Sequence, residues 1–313
     1  MNTTAEELAV FSLIFRTAIM ITFLLLAVVG NSLTLVILCK KKSLRTKTSV
    51  FVANLAVADL LSGLLIMPVV TAASIANEWP FGDAFCQVSA FLTAQLSLTS
   101  VTTLCAVAIE RYHSIVNPLT YESKMCTRNV IILVTWTWFQ PFIFAILPIL
   151  DWGSYVYVPY VFGCITPWGD WPAFTISLFT VCLFIPYTIT VAAYYHIGRI
   201  TFRHLREISK YTLTGTSTLG CERSRLLRLE IKSALVFAIV IGTYTLCWLP
   251  WQIMMICQLF SVTLPNEYLT AAAWMALLNS SCNPIIYCLM NRHFRNGLKN
   301  LFAGIVFRFK MKL

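Results

Sequence analysis

Charge is scarce in this chain. Of its 313 residues, 12% are Asp, Glu, Lys or Arg, while 58% are hydrophobic. That balance excludes a soluble globular domain of this length and leaves a single integral-membrane bundle to account for nearly all of the residues. Acidic residues are the scarcer sign, 13 against 23 Lys and Arg. The net charge of +10 does not mark a nucleic-acid binder, because the basic residues flank apolar stretches and would meet anionic lipid headgroups or a cytosolic partner. No basic segment precedes a short apolar run, so a cleaved signal peptide is not expected and the first apolar stretch serves as an uncleaved one. HExxH, Gly-x-Ser-x-Gly and a second aspartate within a span are all missing, which removes the intramembrane-enzyme readings. Internal repeats and paired broken helices are missing too. An ion-coupled transporter or channel using Asp59 stays as the alternative to be tested.

What is present are seven long apolar stretches, at about 17–39, 49–73, 85–112, 129–150, 172–198, 231–258 and 267–290. As helices rising about 1.5 Å per residue, each crosses the ~30 Å hydrocarbon layer. The expected class is all-α, a seven-transmembrane bundle. Residues 1–16 form an N-terminal segment, 17–290 the bundle, and 291–313 a short amphipathic helix and tail. The connections after spans 1, 3, 5 and 7 carry nearly all of the basic residues; Arg16 alone lies on the other side. That asymmetry orients the N-terminus outside and the C-terminus in the cytoplasm. Asn2-Thr3-Thr4 is then a glycosylation sequon on the outer side. Among eleven cysteines, Cys86 and Cys164 both fall outside, where disulfides persist, and form the expected pair.

Three constellations lie at membrane depth. Asp59 in span 2 shares a layer with Asn31, Ser100, Asn279 and Asn283 from three other spans. A carboxylate among neutral oxygen donors suits a small hard cation, here sodium; the bland reading is a polar plug that joins helices. At the inner end, Glu110-Arg111-Tyr112 closes span 3 and Glu230 opens span 6. Arg111 paired with both glutamates would hold spans 3 and 6 together in a bistable arrangement, against the plainer reading of ordinary interfacial charge. Pro148, Pro186, Pro250 and Pro284 each remove a helical hydrogen bond and favour a kink.

Taken in order, several motifs resemble the rhodopsin-like (class A) G-protein-coupled receptors over the whole chain. They are Gly30-Asn31, Asn54 to Asp59, Cys86 with Glu110-Arg111-Tyr112, Trp138 with Pro148, Pro186 with Tyr194, Cys247-Trp248-Leu249-Pro250, Asn283-Pro284-Ile285-Ile286-Tyr287, and Arg292-His293-Phe294-Arg295. The resemblance implies that Arg111 meets a heterotrimeric G protein once freed from Glu230, and that Trp248 is the aromatic switch beneath the ligand. It implies that Asp59, Ser100, Asn279 and Asn283 hold allosteric sodium, and that Tyr194 and Tyr287 rearrange on activation. The Pro–Ile–Phe connector of the family reads Pro186, Val101 and Tyr244, a departure, and Glu110 stands where Asp is commoner.

The same resemblance locates a ligand pocket at Thr93, Ala94, Ser97, Leu178, Cys182, Trp251, Gln252, Met255, Leu269, Ala273 and Leu277. Amine receptors carry Asp where this chain has Thr93, and opsins carry Lys where it has Leu277, so neither an ammonium ligand nor a retinal Schiff base is expected. An apolar, uncharged pocket suits a neutral lipophilic ligand. The aromatic loop 151–171, tethered at Cys164, is instead a candidate plug or built-in agonist through Tyr160 and Phe162, with a plain lid as the alternative. On the inner side, Ser and Thr among the basic residues of 201–224 suit phosphorylation and arrestin recruitment. No Ser or Thr follows Pro284, so tail phosphosites are not expected, and Phe294, Leu298, Leu301 and Phe302 suit a helix lying on membrane lipid.

Overall fold

The computed structural model describes residues 2–40, 46–214, 218–290 and 294–301; the side chains of 2–6, 8, 9, 204–230, 232 and 233 lie outside that description. Within lipid every backbone N–H and C=O must find a partner in its own segment, and long apolar runs therefore form helices. The chain runs α1 (Asn2–Lys40), α2 (Lys47–Leu61), α3 (Met67–Ala76), α4 (Gly82–Val116), α5 (Tyr121–Lys124), α6 (Thr127–Ile146), α7 (Pro172–Leu178), α8 (Ile185–Thr214), α9 (Thr218–Leu259) and α10 (Asn266–Met290). A last helix, α11, covers 294–301. The pairs α2–α3 and α7–α8 each make one span, joined by π-helical turns at Ser62–Ile66 and Phe179–Phe184. Each π turn lies just ahead of a proline, Pro68 or Pro186, whose missing N–H interrupts the ladder.

Among the described residues, six helical spans are long and apolar enough to cross a bilayer. The seventh, α10, is diluted by Asn266, Glu267, Asn279, Ser280, Ser281 and Asn283, and completes the seven-helix bundle. Helix α1 starts about 15 residues before its apolar stretch, so residues 2–16 continue the first helix rather than forming a separate segment. Pro148 does not kink the fourth span: α6 ends at Ile146, Pro148 sits in the 3-10 turn Leu147–Leu150, and Pro141 is the proline inside the helix. Helix α2 opens on Thr46, whose hydroxyl accepts from Ser49 N at 3.3 Å, so a free amide of the first turn is satisfied.

Outward faces carry large apolar side chains such as Phe15, Ile131, Trp136 and Phe139. The interior of one half is an apolar cluster that includes Phe51, Leu55, Leu104, Val240 and Tyr287. One glycine is fixed by packing: a Cβ on Gly30 would sit 2.7 Å from Pro284 Cβ, so α1 and α10 approach as closely as they do only with glycine there. The connection between α6 and α7 folds into a hairpin of β1 (Val156–Val158) and β2 (Gly163–Ile165), antiparallel, with Tyr157 opposite Cys164. The Cys86–Cys164 disulfide, with Cα atoms 5.5 Å apart, ties β2 to the start of α4.

Candidate functional site

Three sites stack along the bundle axis. At the Arg111 end, the residues that close α4 form a paired and buried group. Arg111 Nε donates to Glu110 Oε2 at 2.6 Å and its Nη2 to Glu110 Oε1 at 2.6 Å, a bidentate pair between sequence neighbours. Glu110 is fully buried and also accepts from Thr48 Oγ1 at 3.1 Å and Tyr121 Oη at 2.7 Å. Arg111 Nη2 also donates to the Thr48 hydroxyl, and the guanidinium lies 6.0 Å from the Phe237 ring centre on α9. A buried ion pair persists only when its remaining lone pairs and protons are used, and here they are. Tyr121 is held well above the usual phenol range by burial and by its bond to Glu110, so it stays a donor. Lys47 stands 2.5 Å from Glu122 and over the Tyr121 ring at 4.8 Å, fixing α5 against α2. Thr48 and Tyr121 were not anticipated from sequence, since a hydroxyl at a helix start or in a loop carries no signal of its own. The Glu230 side chain, the expected second partner of Arg111, lies outside the described residues. Tyr112 points instead at α8, 5.9 Å from the His196 ring.

In the middle layer, Asn283 Nδ2 donates to Asp59 Oδ2 at 2.7 Å, while Asp59 Oδ1 is buried with no hydrogen-bond partner. Asn31 donates to Ala27 O and Ser280 O, at 2.8 and 3.0 Å, and its own Oδ1 is likewise buried and unpartnered. Ser280, which the sequence did not single out, also faces Asp59. The Ser100 hydroxyl donates to Leu96 O at 3.1 Å, along its own helix. An orphaned carboxylate oxygen among amide and hydroxyl oxygens is a donor set that fits a hard cation. Nearby, Asn54 joins α2 to α4 and α6 by donating to Thr103 and Thr137 and accepting from Trp138 Nε1 at 2.7 Å.

Toward the disulfide end opens a cavity of about 130 Å³. Its walls include Thr93, Ala94, Ser97, Leu178, Trp251, Gln252, Met255, Ala273 and Leu277, all expected. Cys182 and Leu269 are not on that wall; Cys182 is buried and accepts from Gln140 Nε2 at 2.8 Å. The floor comprises Trp248, Tyr244, Ser100, Asn279 and Ser280, so one chamber runs down to the edge of the Asp59 layer. Tyr244 stacks on Trp248 at 5.8 Å and 26°, sharing one apolar cluster with Val101. Pro186, Tyr194 and Pro250 line no part of this cavity; Tyr194 packs against the Val101 cluster and Thr190 donates to Pro186 O at 2.8 Å. Pro284 lies against Gly30 and Tyr287 against Phe294, 6.2 Å between rings.

The hairpin roofs the chamber. Val161, Gly163, Cys164, Ile165, Thr166 and Trp168 line it. Tyr160, one of the two expected plug residues, is 45% exposed and contributes only its carbonyl, which accepts from Thr270 at 2.8 Å. Phe162 is buried, but among Ile66, Val70, Ala73 and Leu96, to the side of the chamber. It holds φ +55°, costly for a bulky residue, with the Arg16 guanidinium 5.2 Å over its ring.

A bundle of this shape with a paired arginine at one end and a roofed chamber at the other has the architecture of a membrane receptor. The profile of the seven-transmembrane receptors of the rhodopsin family matches residues 30–287, and the chain belongs to that family. It is 30% identical over 304 residues to 5-hydroxytryptamine receptor 4 of Cavia porcellus, covering 89% of this chain and 78% of that one. It is 28% identical over 302 residues to trace amine-associated receptor 4 of Mus musculus, covering 93% and 85%. The crystal structure of squid rhodopsin superposes with a TM-score of 0.81 at 23% identity, over 92% of this chain and 85% of that one, a likeness of fold. Membership makes this a multi-pass plasma-membrane receptor that couples to heterotrimeric G proteins and carries out no enzymatic reaction. It gives no support to the transporter or channel alternative.

Proposed function

We propose that this receptor, with its N-terminus outside the cell, responds to a neutral, largely apolar ligand in the roofed chamber. One observation carries this: no Asp, Glu, Lys, Arg or His stands among the residues that line it. An ammonium ion entering such a chamber would lose its hydration without gaining a charged partner. The relatives named for 5-hydroxytryptamine and trace amines favour an amine instead. Against this, Thr93 stands where amine receptors carry Asp, and its hydroxyl already donates to Ser89 O at 2.8 Å. G-protein activation by purified receptor in vesicles, screened against neutral and amine libraries, tests the reading. Neutral agonists are expected, and activation by amines alone would contradict it.

A second reading is favoured by the roof. Val161, Ile165 and Trp168 reach the chamber from a loop tied at Cys164 and could act as a built-in agonist, giving signalling without ligand. In that case Val161→Ala with Ile165→Ala lowers basal nucleotide exchange. On the inner side, release of Arg111 from Glu110, and from Glu230 if the two pair, would expose it to the G protein. Sodium held by Asp59, with Asn279, Asn283 and Ser100 nearby, would oppose that release. Arrestin would engage the phosphorylated segment 201–224, and α11 would rest on lipid through Leu298. Glycosylation at Asn2 belongs to the same orientation; the Asn2 side chain and those of 204–224 lie outside the described residues.

A further inference from the structure

We propose that Arg16 binds the phosphate of a lipid in the leaflet at the disulfide end of the bundle. The site lies outside the roofed chamber and does not depend on what the chamber holds.

Depth places Arg16 among headgroups. From Arg16 to Lys40, the last residue of α1, the helix rises about 36 Å. The hydrocarbon layer is ~30 Å thick and the whole bilayer about 40–45 Å with its headgroups. With Lys40 in one headgroup layer, Arg16 therefore falls in the other, where lipid phosphates lie. The side chains beside it on α1, Phe11, Ile14 and Phe15, are exposed and apolar, as are Ile21 and Leu25 further along, so acyl chains have a surface to lie on.

The charge of Arg16 is unmatched. Among the described residues the ion pairs are Lys47–Glu122 and Glu110–Arg111, and neither includes Arg16. Its Nε is enclosed and has no acceptor, while the two Nη groups are not enclosed and stay open to a partner. The contact it does make is with the Phe162 ring, 5.2 Å from its guanidinium carbon. A ring face returns only about 0.5–1 kcal/mol to a partly hydrated cation, less than an oxyanion does. It also holds the guanidinium in one place, since Phe162 is itself buried against Ile66, Val70 and Leu96. A planar fork held in this way presents its Nη donors to two oxygens of one phosphate. Ile66, Val70 and Leu96 also line the chamber, so the site and the chamber share one apolar wall without sharing a ligand.

The test uses the purified full-length receptor in a neutral detergent and a photoactivatable oleoyl lysophosphatidate, with its diazirine on the acyl chain close to the head. Labelling is mapped by mass spectrometry on the wild type and on Arg16→Gln. Half-saturation of labelling at residues 10–22 is expected to rise about tenfold in Arg16→Gln, while labelling at the Arg111 end is unchanged. Equal half-saturation in both proteins overturns the proposal. So does equal labelling of the wild type by the neutral monooleoylglycerol carrying the same diazirine, since an apolar face alone would then suffice; that comparison holds whether or not the variant folds. If inorganic phosphate displaces the probe as readily as unlabelled lysophosphatidate does, the lipid is overturned as the occupant and a free anion takes its place.

Discussion

The two ends of this bundle solve opposite problems. At the Arg111 end, charge is present and fully engaged: one carboxylate takes hydrogen bonds from Arg111, Thr48 and Tyr121. At the disulfide end the chamber wall has no charge, and its indole donors at Trp168 and Trp248 are left without acceptors. A satisfied buried network holds one state until something competes for its members, whereas an uncharged chamber offers mainly apolar contact to whatever occupies it.

The comparison breaks most visibly at Glu110. Glu110→Gln keeps the shape and removes the charge, leaving a buried guanidinium at a cost of about 3–5 kcal/mol. The expected outcome is a lower melting temperature of the purified receptor together with raised basal nucleotide exchange; exchange that stays at the wild-type level would detach the pair from signalling. Nearly as large is Phe162→Ala at the other end, where an emptied site costs about 3–5 kcal/mol in the usual range for buried phenylalanine. Here thermal stability should drop while nucleotide exchange per folded receptor changes little, because Phe162 lies beside the chamber and not in it. Trp138→Phe deletes the donor to Asn54 Oδ1 and should cost about 1–3 kcal/mol, read as a melting shift with ligand selectivity intact. The smallest effect is expected of Arg16→Gln, which removes a cation–π contact to Phe162 worth about 0.5–1 kcal/mol. A loss as large as that of Phe162→Ala would mean that Arg16 has a further role.

The spans were legible because lipid leaves the backbone little choice, so hydropathy and length alone locate them to within a few residues. Their ends were less so: α1 runs on to Asn2, and the good helix formers Ala5, Glu6, Glu7 and Leu8 in its early turns are not registered by an apolar window. Asp59 and Asn283 were legible as partners, since a lone buried carboxylate demands one, and the direct 2.7 Å bond meets that demand. Ser100 met it differently, turning its hydroxyl onto its own helix, as Ser often does with the carbonyl four residues back. Nine of the eleven pocket residues expected from the family spacing do line the chamber. The roof was not: composition showed an aromatic loop, but which ring goes inward is set by the hairpin register and by the left-handed backbone at Phe162. That geometry buries Phe162 to one side, leaves Tyr160 outside, and brings Trp168 to the chamber wall, a choice no count of aromatics reveals.

The most direct measurement is guanine-nucleotide exchange on heterotrimeric G proteins by the receptor in vesicles, wild type against Arg111→Ala at matched surface density. Exchange above the receptor-free background that collapses in the variant is the predicted result. Equal exchange from both proteins, across every heterotrimer tried, would contradict the account at its centre.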